Sequence, residues 1–228
     1  MVTIKVCGIK DEATALAAAR AGADFLGLVF APGRRQVSVT RAAELAEVVK
    51  AAGDSPALVG VFVDSPVDEV NAVARRCRLD RVQLSGHEDR DYCRSIEKPI
   101  IKVVHIRQGS HAGQVLEEIN FAPAGFNPGS LIFLLDTYYT HTSGGGGKVF
   151  DWDIARRVGV SCPVMVAGGL TPANITPLLE QCRPWGVDVS SGVESEGRKD
   201  MKKIKAFIDN IRRWEGGMTR DLGGINVS

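Results

Sequence analysis

The sequence has little of what marks most specialised classes of protein. Only 6% of its 228 residues are aromatic, and apolar runs such as Phe25 to Ala31 and Ala57 to Val63 are far too short to span a bilayer. No charge of one sign dominates, since 28 basic and 27 acidic side chains leave a formal net charge of +1. A chain so balanced offers no field to hold nucleic acid or an anionic membrane surface. The cysteines (Cys7, Cys77, Cys93, Cys162 and Cys182) are odd in number, irregularly spaced and without a C-x-x-C pair. That excludes a disulfide framework and argues against structural zinc or redox work. Four histidines are scattered with no metal-ligand spacing, so no metal site is expected. The opening MVTIKV reads as a lysine-bearing strand, without the apolar core or cleavage site of a signal peptide. A soluble, cytoplasmic protein without membrane or nucleic-acid partners is expected.

What is present is repetition. Short β-branched runs begin at Thr3, Phe25, Leu58, Arg81, Ile100, Leu131, Val164 and Val187, about 26 residues apart on average, the length of one βα unit. Several are apolar at consecutive positions, as parallel strands covered on both faces should be. Helical patterns fill the intervals. Ala13 to Ala21 stops at Gly22, Thr40 opens a second helix, Pro66 sits at a helix start, and Met201, Ile204, Phe207, Ile208, Ile211 and Trp214 form one stripe. Eight such repeats predict a single (β/α)8 TIM barrel over 1–215. The competing open, doubly wound sheet would want a glycine fingerprint where the first turn reads CGIKD. Residues 216–228 lack an apolar period and are expected to be a disordered tail.

In a barrel of this kind, chemistry sits just past the C-terminal ends of the strands. Those positions hold Cys7, Arg34 and Arg35, Asp64, Gln83 and Ser85, His105, Asp136, Gly168 and Gly169, and Ser190, Ser191 and Gly192. The last two groups present backbone N–H groups at helix starts after strands 7 and 8, a pattern that suits phosphate, with ordinary loop glycine as the plain alternative. Cys7 reads either as a small buried hydrophobe or as a catalytic thiol. Asp136 ends the apolar run LIFLLD, where it would either cap a turn or serve as an acid whose pKa the apolar surround raises. Gly144, Gly145, Gly146 and Gly147 suggest a lid or an anion-hugging loop, with a flexible connector as the plain reading.

The segments KVCGIKD, GADFLGLVF, RRQVS, VGVFV, VQLSG, LLDT, GGGGKVFDW, AGGLTPANI and GVDVSSGVE-x-x-GRKD occur in this order. Together they resemble the phosphoribosylanthranilate isomerases of tryptophan biosynthesis, from residue 3 to about 210. The resemblance implies an Amadori rearrangement of a phosphoribosylated aromatic amine, without a cofactor, in a monomer or homodimer. It implies that Cys7 is the general base, Asp136 the general acid, and Arg35 the group holding the anthranilate. It also implies Asp188 and Gln83 beside the substrate, and Gly168, Gly169, Ser190, Ser191 and Gly192 around its phosphate.

Three departures from the family pattern touch substrate positioning. Ser85 stands where a histidine is usual, Gly146 replaces a threonine, and the loop before Arg35 is one residue short and lacks a serine. Rival readings are a histidine-pathway or dual-substrate relative, a Schiff-base lyase using Lys5 or Lys102, and an inactive phosphosugar-binding protein. The first wants carboxylates where this chain has Cys7 and His105. For the second, both lysines lie inside strands, where a buried ion pair with a neighbouring strand's carboxylate is the plain expectation. Intact Cys7, Asp136 and Arg35 argue against the third.

Overall fold

A computed structural model describes residues 1–53, 56–119, 129–137 and 149–222, with side chains to residue 217. Eight parallel strands close into a barrel in sequence order: β1 (Thr3–Cys7), β2 (Phe25–Val29), β3 (Ala57–Phe62), β4 (Arg81–Leu84), β5 (Ile100–Ile106), β6 (Leu131–Thr137), β7 (Val164–Val166) and β8 (Gly186–Val189). The open-sheet alternative is thereby excluded. Closure rests on the β1–β8 pairing, which sets Lys5 beside Asp188. Between the strands lie α1 (Glu12–Ala21), α2 (Val39–Ala51), α3 (Val67–Arg76), α4 (Arg90–Arg94), α5 (Ala112–Ile119), α6 (Trp152–Val158) and α7 (Ile175–Cys182).

Local chemistry explains the helix ends. Asp11, Ser38 and Asp89 accept hydrogen bonds from the N–H groups of Thr14, Arg41 and Tyr92, capping α1, α2 and α4. Gly22 ends α1 at φ +97°, a conformation that a side chain disfavours. Alternation along each strand then makes two cores. Val59, Ile101, Val103, Ile132, Leu134, Met165 and Ala167 fill the barrel, while a larger apolar layer packs between strands and helices.

The last helix, α8 (Met201–Leu222), departs from the sequence reading at both ends. Ile204, Phe207, Ile208 and Ile211 are buried, but Met201 is 49% exposed and does not join their stripe. The helix also passes through Gly216 and Gly217, so residues 216–222 of the expected tail are helical, while 223–228 lie outside the described residues. Two exposed glycines cost a helix about 1 kcal/mol each, and the packed turns before them supply the nucleus. Glu215 docks this end: its carboxylate accepts from the Val2 N–H and from Arg212. A two-stranded hairpin of β9 (Glu194–Ser195) and β10 (Arg198–Lys199) precedes α8. Among the described residues no helix is long and apolar enough to cross a membrane, and no cluster could hold a metal ion.

Candidate active site

Cys7 ends β1 with only 7% of its surface exposed. Its neighbour in register on β2 is Gly27, where a Cβ would stand 2.8 Å from the Cys7 sulfur. Glycine alone leaves the thiol its space. Two residues earlier, Lys5 turns into the same interior with no exposed surface, and its Nζ donates to Asp188 Oδ1 at 3.0 Å. The same ammonium acts electrostatically on the Cys7 thiol and favours its ionised form. Burial alone would lower the Lys5 pKa, but Asp188 and then Cys7 reverse that and hold it above its ordinary value. Burial pushes the Cys7 thiol up, against the pull of Lys5.

Asp136 lies on β6, paired in register with His105 of β5. Burial, and after it the Asp188 charge, raise its carboxyl to about 6, while His105 pulls the other way. Asp188 therefore acts electrostatically on both Cys7 and Asp136. Gln83 on β4 is buried, and its Nε2 donates to Ser85 Oγ at 3.1 Å. Its Oε1 has no hydrogen-bond partner among the described residues, which leaves a buried acceptor at the site. The Ser85 carbonyl accepts from His105 Nε2 at 3.0 Å, so that nitrogen carries the proton.

Arg35 is held by Glu194 through two hydrogen bonds, Nε to Oε1 at 2.7 Å and a terminal nitrogen to Oε2 at 3.1 Å. Arg34 and Lys199 reach the same carboxylate, at 2.7 and 3.0 Å. Burial would raise Glu194, but Arg35 and Lys199 overcome it and hold the carboxyl at about 2. Gly8 lets this happen beside Cys7, because a Cβ there would fall 2.6 Å from Arg35 Cδ. Lys199 Nζ donates also to the Ser190 carbonyl at 2.9 Å, and Ser190 Oγ donates to the Cys7 carbonyl at 3.1 Å. One polar chain thus ties the guanidinium of Arg35 to the end of β1.

The glycine loops after β7 and β8 interlock. Gly168 and Gly169 both have positive φ, and a Cβ on Gly168 would meet Thr137 Oγ1 at 2.4 Å. A Cβ on Gly192 would fall 1.7 Å from the Leu170 carbonyl oxygen. These loops and Cys7, Asp136, Gln83, Arg35 and Asp188 meet at one end of the barrel. Gly144 to Gly147 lie outside the described residues. Glu194, Lys199 and Gly27 belong to the site but were not singled out from sequence, although all three fall within motifs that carried the resemblance.

Neither strand lysine is offered as a nucleophile. Lys5 is ion-paired with the neighbouring strand's Asp188, as expected. Lys102 pairs instead with Glu88 of the loop after β4, at 2.6 Å, on the strand face opposite Ile101 and Val103. Glu88 also accepts from the backbone N–H groups of Asp64 and Gly86, so this cluster braces the loops after β3 and β4. A cavity of about 590 Å³ opens at the other end of the barrel, against Val160, Pro163, Val164 and Trp185. It contains none of the acid–base groups above.

The chain matches the family of N-(5'-phosphoribosyl)anthranilate (PRA) isomerases over residues 4–210. It is 45% identical to the N-(5'-phosphoribosyl)anthranilate isomerase of Dehalococcoides mccartyi, across 95% of this chain and 98% of that one. Identity to the Roseiflexus sp. protein of the same name is 40%, across 93% and 98%. Among solved structures, the phosphoribosyl anthranilate isomerase of Thermotoga maritima superposes with a TM-score of 0.81 at 34% identity, covering 93% of this chain and all of that one. An isomerase solved with reduced 1-(o-carboxyphenylamino)-1-deoxyribulose 5-phosphate superposes with a TM-score of 0.78 at 32% identity, with the same coverage. With the closed barrel and the strand-end residues in place, the chain belongs to the phosphoribosylanthranilate isomerase family.

Proposed function

We propose that the protein converts N-(5'-phosphoribosyl)anthranilate into 1-(2-carboxyphenylamino)-1-deoxyribulose 5-phosphate, with Cys7 as base and Asp136 as acid. The observation that carries this is the pairing of a buried thiol with a carboxyl raised to about 6, both coupled to Asp188 at one barrel mouth. The protonated Asp136 gives its proton to the furanose ring oxygen as the bond from that oxygen to C1′ breaks. The nitrogen lone pair then closes a C1′=N double bond and leaves a cationic imine. That cation acidifies the C2′–H, the Cys7 thiolate takes the proton, and the resulting enolamine tautomerises to the ketone. Atoms and electrons balance within the substrate, so the step calls for no external oxidant or reductant.

Arg35 would hold the anthranilate carboxylate, oriented for it by Glu194. The phosphate would lie on backbone N–H groups of Gly168, Gly169, Ser190, Ser191 and Gly192, where the close approach of the two loops supports the reading. Gln83 Oε1, which lacks a protein partner among the described residues, suits a substrate hydroxyl, and Asp188 would stand beside the same sugar. Free thiols among the described residues fit a reducing cytoplasmic setting.

The test is turnover of N-(5'-phosphoribosyl)anthranilate, made in situ and followed by fluorescence. The parent protein should turn over, and Cys7→Ser should lose about 10²–10⁴-fold in kcat while KM changes little. A Cys7→Ser protein with most of the parent kcat would overturn the assignment of the base.

A further inference from the structure

Lys5 is the most fully buried charge in the site, and the proton transfers described above make no use of it. A lysine inside a barrel loses its hydration at a heavy cost unless its charge is matched. Asp188 matches it from the neighbouring strand at 3.0 Å, yet the ammonium also acts on the Cys7 thiol, two residues along the same strand face. The alternation of β1 brings these groups together, since residues 5 and 7 point to one face. Closure of the barrel then sets Asp188 in register with Lys5.

We propose that Lys5 is the counter-ion of the Cys7 thiolate, a positioning residue clamped by Asp188 so that its ammonium faces the sulfur. The inference rests on the reading of Cys7 as the base for its place in catalysis, but not for its electrostatics. The charges that act on Cys7 are Lys5 from its own strand, Asp188 from β8 and Lys199 from β10. Lys5 in turn feels Asp136 from β6. Lys5 and Asp188 therefore pull the thiol in opposite directions: the cation favours thiolate and the carboxylate opposes it. A merely structural ion pair would give two variants with the same defect. A counter-ion gives two variants of opposite sign.

The experiment measures the rate of Cys7 alkylation by iodoacetamide against pH, read by mass on the Cys7 peptide so that the other four cysteines do not contribute. Lys5→Met should move the midpoint up by about one pH unit or more, slowing alkylation about tenfold at a fixed pH below it. Asp188→Asn should move it down. In turnover, Lys5→Met should lower kcat at neutral pH and displace the basic limb of the pH profile upward, with KM less affected. Because Lys5→Met strands a buried carboxylate, the double variant Lys5→Met/Asp188→Asn is compared with Asp188→Asn. The double variant carries no unpaired charge, and its midpoint should lie above that of the single variant. Equal midpoints in that comparison, or shifts of the same sign in the two single variants, would overturn the proposal. Loss of turnover in Cys7→Ser bears on the base alone. If that variant keeps its turnover while the midpoints move as expected, the counter-ion stands and the base reading falls.

Discussion

Asp136→Asn should make the protein more stable while removing its activity. In the folded barrel the carboxyl stands at about 6, against an ordinary 3.8 in the unfolded chain, because burial and the Asp188 charge oppose its ionisation. A carboxyl whose pKa is raised by folding is ionised more readily in the unfolded chain. It therefore subtracts stability as pH rises through the window from 3.8 to about 6. At pH 8 the subtraction is about 3 kcal/mol, at pH 5 about half of that, and at pH 4 under about 1. Asparagine keeps the shape and never ionises, so it should recover those amounts. The remaining accessibility of the carboxyl at the mouth makes them upper values. For a chain of this length 1 kcal/mol corresponds to roughly 2–4 °C in Tm, so at pH 8 the variant should melt up to about 6–12 °C higher. The assay is thermal unfolding of both proteins at pH 4, 5 and 8, alongside a kcat reduced about 10²–10⁴-fold. The difference in Tm must shrink as pH falls. A variant that is less stable at pH 8, or whose gain is the same at every pH, would refute the electrostatic account of Asp136.

Three further outcomes follow from the same geometry. Glu194→Gln should loosen Arg35 and raise KM about tenfold or more while lowering kcat less, as fluorescence kinetics would show. It should also remove a stability contribution that the parent holds above about 4.5 and loses as pH falls toward 2, so acid unfolding curves of the two proteins should converge there. Gly27→Ala puts a methyl carbon 2.8 Å from the Cys7 sulfur, and should slow both turnover and Cys7 alkylation with a stability loss of about 1–3 kcal/mol. Truncation after Gly217 should leave Tm unchanged, whereas truncation after Trp214 deletes Glu215, which holds the Val2 N–H and Arg212, and should lower Tm by several degrees.

Much of this was legible in the chain because parallel strands buried on both faces write themselves as short apolar runs at βα spacing. Cys7 and Asp136 stood out as polar groups ending such runs. What periodicity could not carry is the consequence of closure. Arg35 and Glu194 are separated by 159 positions, and Lys5 and Asp188 by 183, so their meeting depends on β8 pairing with β1. Gly27 carries no signal of its own in the sequence, and only its register opposite Cys7 shows that the sulfur needs the space. The partner of Lys102 proved to be a loop residue, Glu88, because that lysine faces the helical layer and not the barrel interior. Helix α8 outran the apolar stripe that announced it, since a docked helix needs no further apolar residues to continue a turn or two.

The two proton-transfer groups stand in an order that shapes the whole pH response. With the Asp136 carboxyl at about 6 and the Cys7 thiol raised by burial, the empty site at neutral pH holds a thiol and a carboxylate. The reaction wants the reverse, an acid and a thiolate. The two arrangements contain the same number of protons, so their ratio does not change with pH between the two limbs. Each pH unit by which the thiol stands above the carboxyl costs a factor of ten in the reactive form, about 1.4 kcal/mol of barrier. Lys5 narrows that gap from the thiol side, and burial of Asp136 narrows it from the other. Asp188 enters both terms: it raises Asp136, which helps, and opposes the thiolate, which its hold on Lys5 offsets. The cationic imine made by the first proton transfer completes the arrangement, because its charge arrives beside Cys7 when the thiolate is required.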